Sequence, residues 1–169
     1  MRSGNVDVRV TIEGVSPLQM HRFSEEAALQ LQAPSTRVLV GRRPLPENQA
    51  REAAYLDQAG QPYIPVINIF NCIVLAGQHV KIKRAQLTTQ RKSKVPGMID
   101  IVEPEKLPVL MRDQSGNGSG TLIPATWVPM LFTPTNASGS KSACWRPVFF
   151  SWMIPFTLRV DVESIDLVA

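Results

Sequence analysis

Residues 62–94 read PYIPVINIFNCIVLAGQHVKIKRAQLTTQRKSK, and this stretch decides the fold. Its first half, residues 66–77, is apolar except for two asparagines. Twelve residues are long for a buried strand and suit a short helix, although the β-branched residues favour helix less. Pro65 fits a first-turn position and Gly77 fits a stop. The pattern predicts a helix over 66–76 that is apolar nearly all round, and therefore buried nearly all round beneath a sheet.

The second half of this stretch is strongly basic. Residues 78–99, which we call the basic segment, contain six Lys or Arg and no Asp or Glu. The chain carries 18 basic and 14 acidic residues, so the remainder has 12 basic against 14 acidic, a net charge of −2. A local field of one sign indicates an anionic partner, with nucleic acid first. The alternative interpretation is a solvated surface loop.

Composition indicates a folded protein of one domain, because the chain has 169 residues and 44% of them are hydrophobic. Cys72 and Cys144 do not have the spacing of a metal or redox site, and a buried thiol is expected for Cys72. We find no N-terminal signal peptide pattern, and the longest apolar run is too short to span a bilayer. We therefore expect a soluble, intracellular protein that does not bind a membrane.

Residues 6–13 alternate strictly between apolar and polar side chains and predict a strand with one covered and one open face. Residues 156–160 alternate in the same way after an interruption at Pro155. Further predictions are short helices over about 24–32 and 48–54, short strands over 98–102 and 107–111, and a hairpin formed by 122–132 and 144–150.

The order of these elements predicts an α+β fold. Strand, helix, strands and final strand correspond to the first three-quarters of a βαββαβ ferredoxin-like layout. The prediction is an antiparallel sheet with long insertions at about 15–61 and 112–145, in which residues 6–13 and 156–160 form neighbouring central strands. The last helix and strand are missing or supplied by another chain.

Four stretches carry a resemblance to a known family. They are SPLQMHRFSEEA (16–27), EAAYLDQAGQPYIP (52–65), LAGQHVKIKRAQLTT (75–89) and RPVFFSWMIPFTLRVD (146–161). Together and in this order they resemble small phage-encoded proteins that are similar to the backbone subunits of CRISPR effector complexes, within the repeat-associated mysterious protein (RAMP) superfamily.

The resemblance implies a modified RNA-recognition-motif core with thumb-like insertions, a single strand of DNA or RNA bound along one face, and a location in the cytoplasm of a bacterial host. It also implies copies packed side by side as an oligomer or filament. Members of the family usually continue into a helix and a glycine-rich segment close to GxGxFRPxxGGxFGRF, which this sequence lacks. The chain is therefore expected to be a fragment, or to be completed by another chain.

The candidate binding residues are cations and aromatic rings. Cations neutralise phosphates without reading bases, and aromatic rings stack on the bases of a single strand. The predicted set is Lys81, Lys83, Arg84, Arg91, Lys92, Lys94, Arg42, Arg43, His21, Arg22, Trp127 and Trp145. Core packing is the expected role of Phe150, Phe156 and Trp152.

No nucleotide-binding loop, CxxC or HExxH motif occurs, so we expect no cofactor, no metal and no enzymatic activity. Two other functions stay open. One is a structural or assembly protein of a phage particle. The other is a metal-independent ribonuclease that uses His21 as general acid or base beside Arg22.

Overall fold

The computed structural model describes residues 4–22, 45–82, 85–113, 121–133, 135, 139 and 143–163. The described residues form a mixed fold with two α-helices and mostly antiparallel sheets, compatible with the predicted α+β class. The chain divides into two compact units, each built from separate segments. Unit 1 comprises 1–13, 63–108 and 153–169, and unit 2 comprises 14–62 and 109–152. Both predicted insertions fall inside unit 2, while the single domain stays a prediction.

The described residues of unit 1 form one α-helix, seven strands and one 3₁₀ helix. They are β1 (Asn5–Glu13), β3 (Tyr63–Pro65), α2 (Val66–Ala76), β4 (Lys81–Ile82), β5 (Ala85–Gln86), the 3₁₀ helix (Val95–Gly97), β6 (Ile99–Ile101), β7 (Lys106–Pro108) and β12 (Met153–Asp161). Unit 2 contains β2 (Leu18–Gln19), α1 (Pro46–Glu52), β8 (Leu110–Arg112), β9 (Leu122–Pro124), β10 (Val128–Phe132) and β11 (Cys144–Phe149). The predicted helix over 24–32 lies outside the described residues. No helix in the described part of the chain is long and apolar enough to cross a membrane.

Unit 1 is organised by the antiparallel pairing of β1 with β12. Nine residue pairs join the two strands, from Asn5 opposite Asp161 to Glu13 opposite Met153. On its other side β12 pairs with β6, also antiparallel. The prediction that β1 and the final strand are neighbours is confirmed. Among the described strands, however, β1 lies at an edge of the sheet and is not central.

The alternation in β1 separates an apolar face from a polar face. Phe156, opposite Val10, and Ile154, opposite Ile12, are buried. On the polar face Arg159 donates to both carboxylate oxygens of Asp7, at 2.8 and 2.9 Å. These hydrogen bonds lower the pKa of Asp7 from its ordinary value. Burial of the apolar face specifies the register, because a slip by one residue would move every side chain of the strand to the opposite face.

Helix α2 forms at the predicted residues, but its predicted burial is wrong. It runs from Val66 to Ala76, and none of its residues is fully buried. Ile67 and Leu75 are 57% and 59% exposed, and Cys72, expected to be a buried thiol, is also exposed. The helix contacts β3, β6 and the 3₁₀ helix within unit 1. Within that unit these neighbours cover only part of its circumference.

In unit 2 the core is centred on β11. This strand pairs with β10 on one side and with β2 on the other. Its residues Pro147, Val148 and Phe149 are buried. The predicted hairpin is confirmed for β10 and β11, whereas β9 pairs with β8 instead.

Two expectations for the residues after β11 are wrong. Phe150, expected in the core, is 61% exposed because it follows the last residue of β11. The expected interruption at Pro155 is absent, since β12 continues through this residue. Phe156 is buried as expected, and Trp152 is half-buried with its indole nitrogen donating to the Ser16 carbonyl at 2.8 Å.

Gly14 is required by its close approach to Trp152. A Cβ at Gly14 would overlap the Trp152 indole, which the hydrogen bond to Ser16 holds in place. We therefore expect Gly14→Ala to lower the free energy of unfolding by about 1–3 kcal/mol, the usual cost of overpacking. Gly97→Ala is the matched control, because a Cβ there meets nothing within 4 Å. Chemical denaturation measures both variants, and equal stabilities would contradict the clash.

Candidate nucleic-acid interface

The basic segment begins as a tight hairpin directly after α2. Strands β4 and β5 pair with Lys81 opposite Gln86 and Ile82 opposite Ala85. The hairpin is extended by the Leu87 N–H, which donates to the Val80 carbonyl at 3.0 Å. Lys83 and Arg84, which connect the two strands in the sequence, lie outside the described residues. Lys81 is exposed on the first strand of the hairpin.

A second tight turn follows the hairpin and carries more cations. The Thr89 N–H donates to the Lys92 carbonyl at 2.9 Å, and the Lys92 N–H donates to the Thr89 hydroxyl at 3.3 Å. After this turn, the Lys94 N–H donates to the Leu87 carbonyl at 2.9 Å. These bonds place Arg91 inside the turn, with Lys92 and Lys94 on its returning arm.

Both turns are anchored to α2 through Thr88. Its side chain is buried, and its hydroxyl donates to the Val74 carbonyl at 2.6 Å and lies 2.7 Å from the Ser93 hydroxyl. Val74 belongs to the last turn of α2, where backbone carbonyls have no partner within the helix. Gly77 permits this approach, because a Cβ there would lie 2.5 Å from the Thr88 hydroxyl. Thr88 is therefore a structural anchor of the basic segment.

The cations around this anchor keep their charge available. Lys81, Arg91, Lys92 and Lys94 are all exposed. None of these four forms an ion pair with another residue in the described ranges. An anion approaching the segment would therefore not have to displace any of the described residues from an ion pair with these cations.

The predicted aromatic residues lie in unit 2, whereas the basic segment lies in unit 1. Trp145 is half-buried in β11, and its backbone N–H donates to the Gln49 side-chain oxygen at 2.9 Å. Trp127, also half-buried, lines a shallow cleft of about 370 Å³ together with Pro62 and Pro129. Each residue is only partly buried, and stacking on a base requires the accessible part to include the ring.

His21 and Arg22 are exposed residues of unit 2. Burial, with a smaller contribution from the positive charge of Arg146, lowers the pKa of His21 from its ordinary value of 6.5. Both effects favour the neutral imidazole, so His21 is less suited to neutralising a phosphate than a lysine or arginine is. The Arg22 backbone N–H donates to the Ala53 carbonyl at 2.8 Å. Arg42 and Arg43, the remaining predicted cations, lie outside the described residues.

Sequence reasoning missed a cleft of about 650 Å³ beside the start of α2. Ile67 and Phe70 contribute apolar surface, and Asp100 and Glu105 contribute acidic groups. This lining disfavours a phosphate. The sequence signal that could have located this cleft is the cluster of acidic residues at 100–105, directly after the basic segment. In the ranges that the structure describes, no group of three His, Cys, Asp or Glu side chains is arranged to hold a metal ion.

The Thr88 anchor generates a prediction for stability. Thr88→Val keeps the shape but leaves the Val74 carbonyl and the Ser93 hydroxyl without this partner. An unsatisfied buried polar group costs about 1–3 kcal/mol, so we expect a decrease of that size in the free energy of unfolding. Amide hydrogen exchange at Leu87 and Lys94 should also become faster. Thr89→Val is the matched control, because it removes two solvent-exposed hydrogen bonds with Lys92 that water can replace, so we expect a smaller decrease. Unchanged stability and exchange in Thr88→Val would contradict the anchor.

Comparisons of this chain with protein-family profiles, curated proteins and solved structures find no match.

Proposed function

We propose that this protein binds single-stranded nucleic acid without catalysis, through the basic segment, and that copies assemble side by side along the strand. The observation that carries the proposal is the arrangement of Lys81, Arg91, Lys92 and Lys94. They are exposed, unpaired among the described residues, and held on two turns that Thr88 fixes to α2. A cluster of cations without internal partners is suited to binding a polyanion.

The anchored turns favour binding over a passive solvated loop. An anion that binds a free loop must order its backbone, and that ordering opposes association. Here the hydrogen bonds at Thr88, Thr89 and Lys94 already order the backbone that carries the cations. Contacts of this kind hold phosphates and carry no base identity. The expected binding is therefore tolerant of sequence and sensitive to salt.

The half-exposed rings of Trp127 and Trp145 support a single strand as the ligand. Unpaired bases expose their faces and stack on indole rings, whereas the bases of a duplex stack on each other. The resemblance to the RAMP superfamily points to the same class of ligand. DNA and RNA are both candidates, so both are used as probes.

We also propose that the sheet of unit 1 is the first part of a ferredoxin-like layout. Strand β12 is antiparallel to β1 and to β6, so β1 and β6 run parallel to each other with β12 between them. Helix α2 comes between β1 and β6 in the chain. This split βαβ arrangement is the opening unit of the ferredoxin-like order. In that order the last strand lies beside the first, so a strand of another chain at the open edge of β1 would take its place.

The central prediction concerns salt dependence. Replacing Lys81, Lys83 and Arg84 together with alanine should weaken binding to all single strands alike. It should also reduce the slope of log affinity against log salt by roughly 0.7 for each phosphate that the variant no longer neutralises. Fluorescence anisotropy with labelled single-stranded DNA and RNA, repeated across a salt series, measures both quantities.

The matched control for this experiment replaces Arg51, Lys106 and Arg112, three exposed cations elsewhere in the chain, with alanine. This control variant loses the same net charge as the basic-segment variant. If the phosphate contacts are made by the basic segment, the salt slope of the control should stay close to that of the wild type. A basic-segment variant that binds as tightly as the wild type, with the same slope, would show that the segment is only a solvated loop.

Stacking predicts a different signature. Trp127→Ala or Trp145→Ala should cost about 1–3 kcal/mol of binding free energy for each ring that stacks on a base, and should leave the salt slope nearly unchanged. The same anisotropy series distinguishes the two contributions, because only the ionic one depends on salt. Phe150→Ala, which removes an exposed ring outside the predicted set, should leave affinity unchanged. If it weakens binding as much as the tryptophan variants do, stacking at those tryptophans is not specific.

A further inference from the structure

One edge of β1 has no partner among the described strands. Its other edge is hydrogen-bonded to β12, and the Val162 N–H donates to the Gly4 carbonyl at 2.9 Å. In the register of these strands, Gly4 and Val162 lie opposite each other. Hydrogen-bonded and non-hydrogen-bonded pairs alternate in an antiparallel ladder. The even-numbered residues of β1 therefore point their backbone groups toward β12, and the odd-numbered residues point theirs toward the open edge.

The length and composition of β1 suit this open edge to pairing with a strand of another chain. Its outward backbone groups belong to Asn5, Asp7, Arg9, Thr11 and Glu13. The strand is nine residues long and contains neither proline nor lysine, two of the residues that commonly block pairing between edges. On its apolar face Val6 and Val8 are 49% and 45% exposed. A partner at this edge would satisfy the backbone groups and cover these valines.

We propose that the edge pairs with β1 of a second copy of this chain, antiparallel and about a two-fold axis at Val8. The proposal rests on the side-by-side assembly proposed above and supplies the contact and register within one pair of copies. An interface around a two-fold axis uses the same surface on both copies and closes after two. The dimer, with two basic segments, would then be the unit that lies along the nucleic acid.

The charges of the strand select this register. With the axis at Val8, Asp7 lies opposite Arg9 of the second copy, and by symmetry Arg9 lies opposite the second copy's Asp7. Asn5 then lies opposite Thr11. All these residues are odd-numbered, so their outward backbone groups form the new hydrogen bonds. Opposite charges facing each other across strands stabilise a pair, whereas like charges destabilise it.

The neighbouring registers are less favourable. An axis at Asp7 places two acids opposite each other, and an axis at Arg9 places two cations opposite each other. With the axis at Val10, Asp7 faces Glu13. Axes at Val6 or Thr11 avoid these clashes but shorten the paired stretch. The longest register with complementary charges is therefore the one centred on Val8.

The apolar face favours the same register. Val8 lies opposite its own copy at the axis, and Val6 lies opposite Val10. These even-numbered residues form the non-hydrogen-bonded pairs of the new ladder, in which Cα atoms are about 4.5 Å apart and side chains pack most closely. Val6 and Val8 are the two most exposed valines of the strand, and both lie at the contact.

Site-specific cross-linking tests this register. The background is the full chain with Cys72→Ser and Cys144→Ser, which removes both native thiols. Val8→Cys places two thiols opposite each other at a Cα separation suited to a disulfide. In a dimer of Val6→Cys, each thiol lies opposite Val10 of the other copy. The two thiols are then four residues apart along the strands, about 14 Å, which is too far for a disulfide. Both variants are oxidised without nucleic acid and run on a non-reducing gel.

We expect a covalent dimer for Val8→Cys, monomer for Val6→Cys, and a dimer when Val6→Cys is mixed with Val10→Cys. In the Val8→Cys background, Arg9→Glu should reduce the dimer band, because it places an acid opposite Asp7. Arg9→Lys should keep the band. If Val8→Cys stays monomeric, or cross-links no faster than Val6→Cys, the proposed pairing is overturned.

This test fails separately from the nucleic-acid proposal. Adding the alanine substitutions at Lys81, Lys83 and Arg84 to the Val8→Cys background should leave cross-linking unchanged, because these residues lie outside β1. Cross-linking without nucleic-acid binding would refute only the proposed ligand. Nucleic-acid binding by a Val8→Cys variant that remains monomeric would refute only the dimer.

Discussion

The pairing of β1 with β12 is the constraint on which unit 1 depends. It joins Asn5 to Asp161, so most of the chain lies in the loop that this pairing closes. Closing so long a loop costs conformational entropy, which burial of Ile154 and Phe156 and the nine-residue ladder offset. Burial of one face fixes which side chains face the core, and the exposed ion pair between Asp7 and Arg159 is compatible with that register. Strand β12 also pairs with β6 along its other edge.

Helix α2 and Thr88 connect this sheet to the proposed binding surface. The helix contacts β6, and its last turn accepts the Thr88 hydroxyl at Val74. A threonine at the base of two turns therefore determines where the surrounding cations lie. The cations themselves stay in solvent, where their charge is not compensated by an ion-pair partner among the described residues. The arrangement combines an ordered backbone with accessible charge, which is what a site for a flexible polyanion requires.

Local signals in the sequence were sufficient for the main elements of unit 1. Strict alternation predicted β1, and the length of the apolar run with Gly77 at its end predicted α2. Burial of α2 was wrong, because hydrophobicity indicates a preference for contacts but not how many neighbours surround a helix. Continuation of β12 through Pro155 was missed for a related reason. A proline removes one backbone donor, and the pairing around it decides whether the strand ends.

The candidate site was predictable only in its charge. Counting Lys and Arg over residues 78–99 located the basic segment, because charge is a property of composition. The role of Thr88 was not predictable, since its partner Val74 lies 14 residues earlier and the contact exists only after the chain turns back. The open edge of β1 also required the observed strand order. Local sequence patterns do not specify which distant segments of the chain pair with each other.

The most direct measurement is the affinity of the unmodified protein for a labelled single-stranded homo-oligonucleotide, titrated at a series of salt concentrations. Cations that release counterions from phosphates predict binding that weakens linearly on a log–log plot, with a slope of roughly −0.7 for each phosphate contacted. Absence of binding at the lowest salt concentration, or an affinity that does not change with salt, would contradict the proposal that the basic segment holds a nucleic acid.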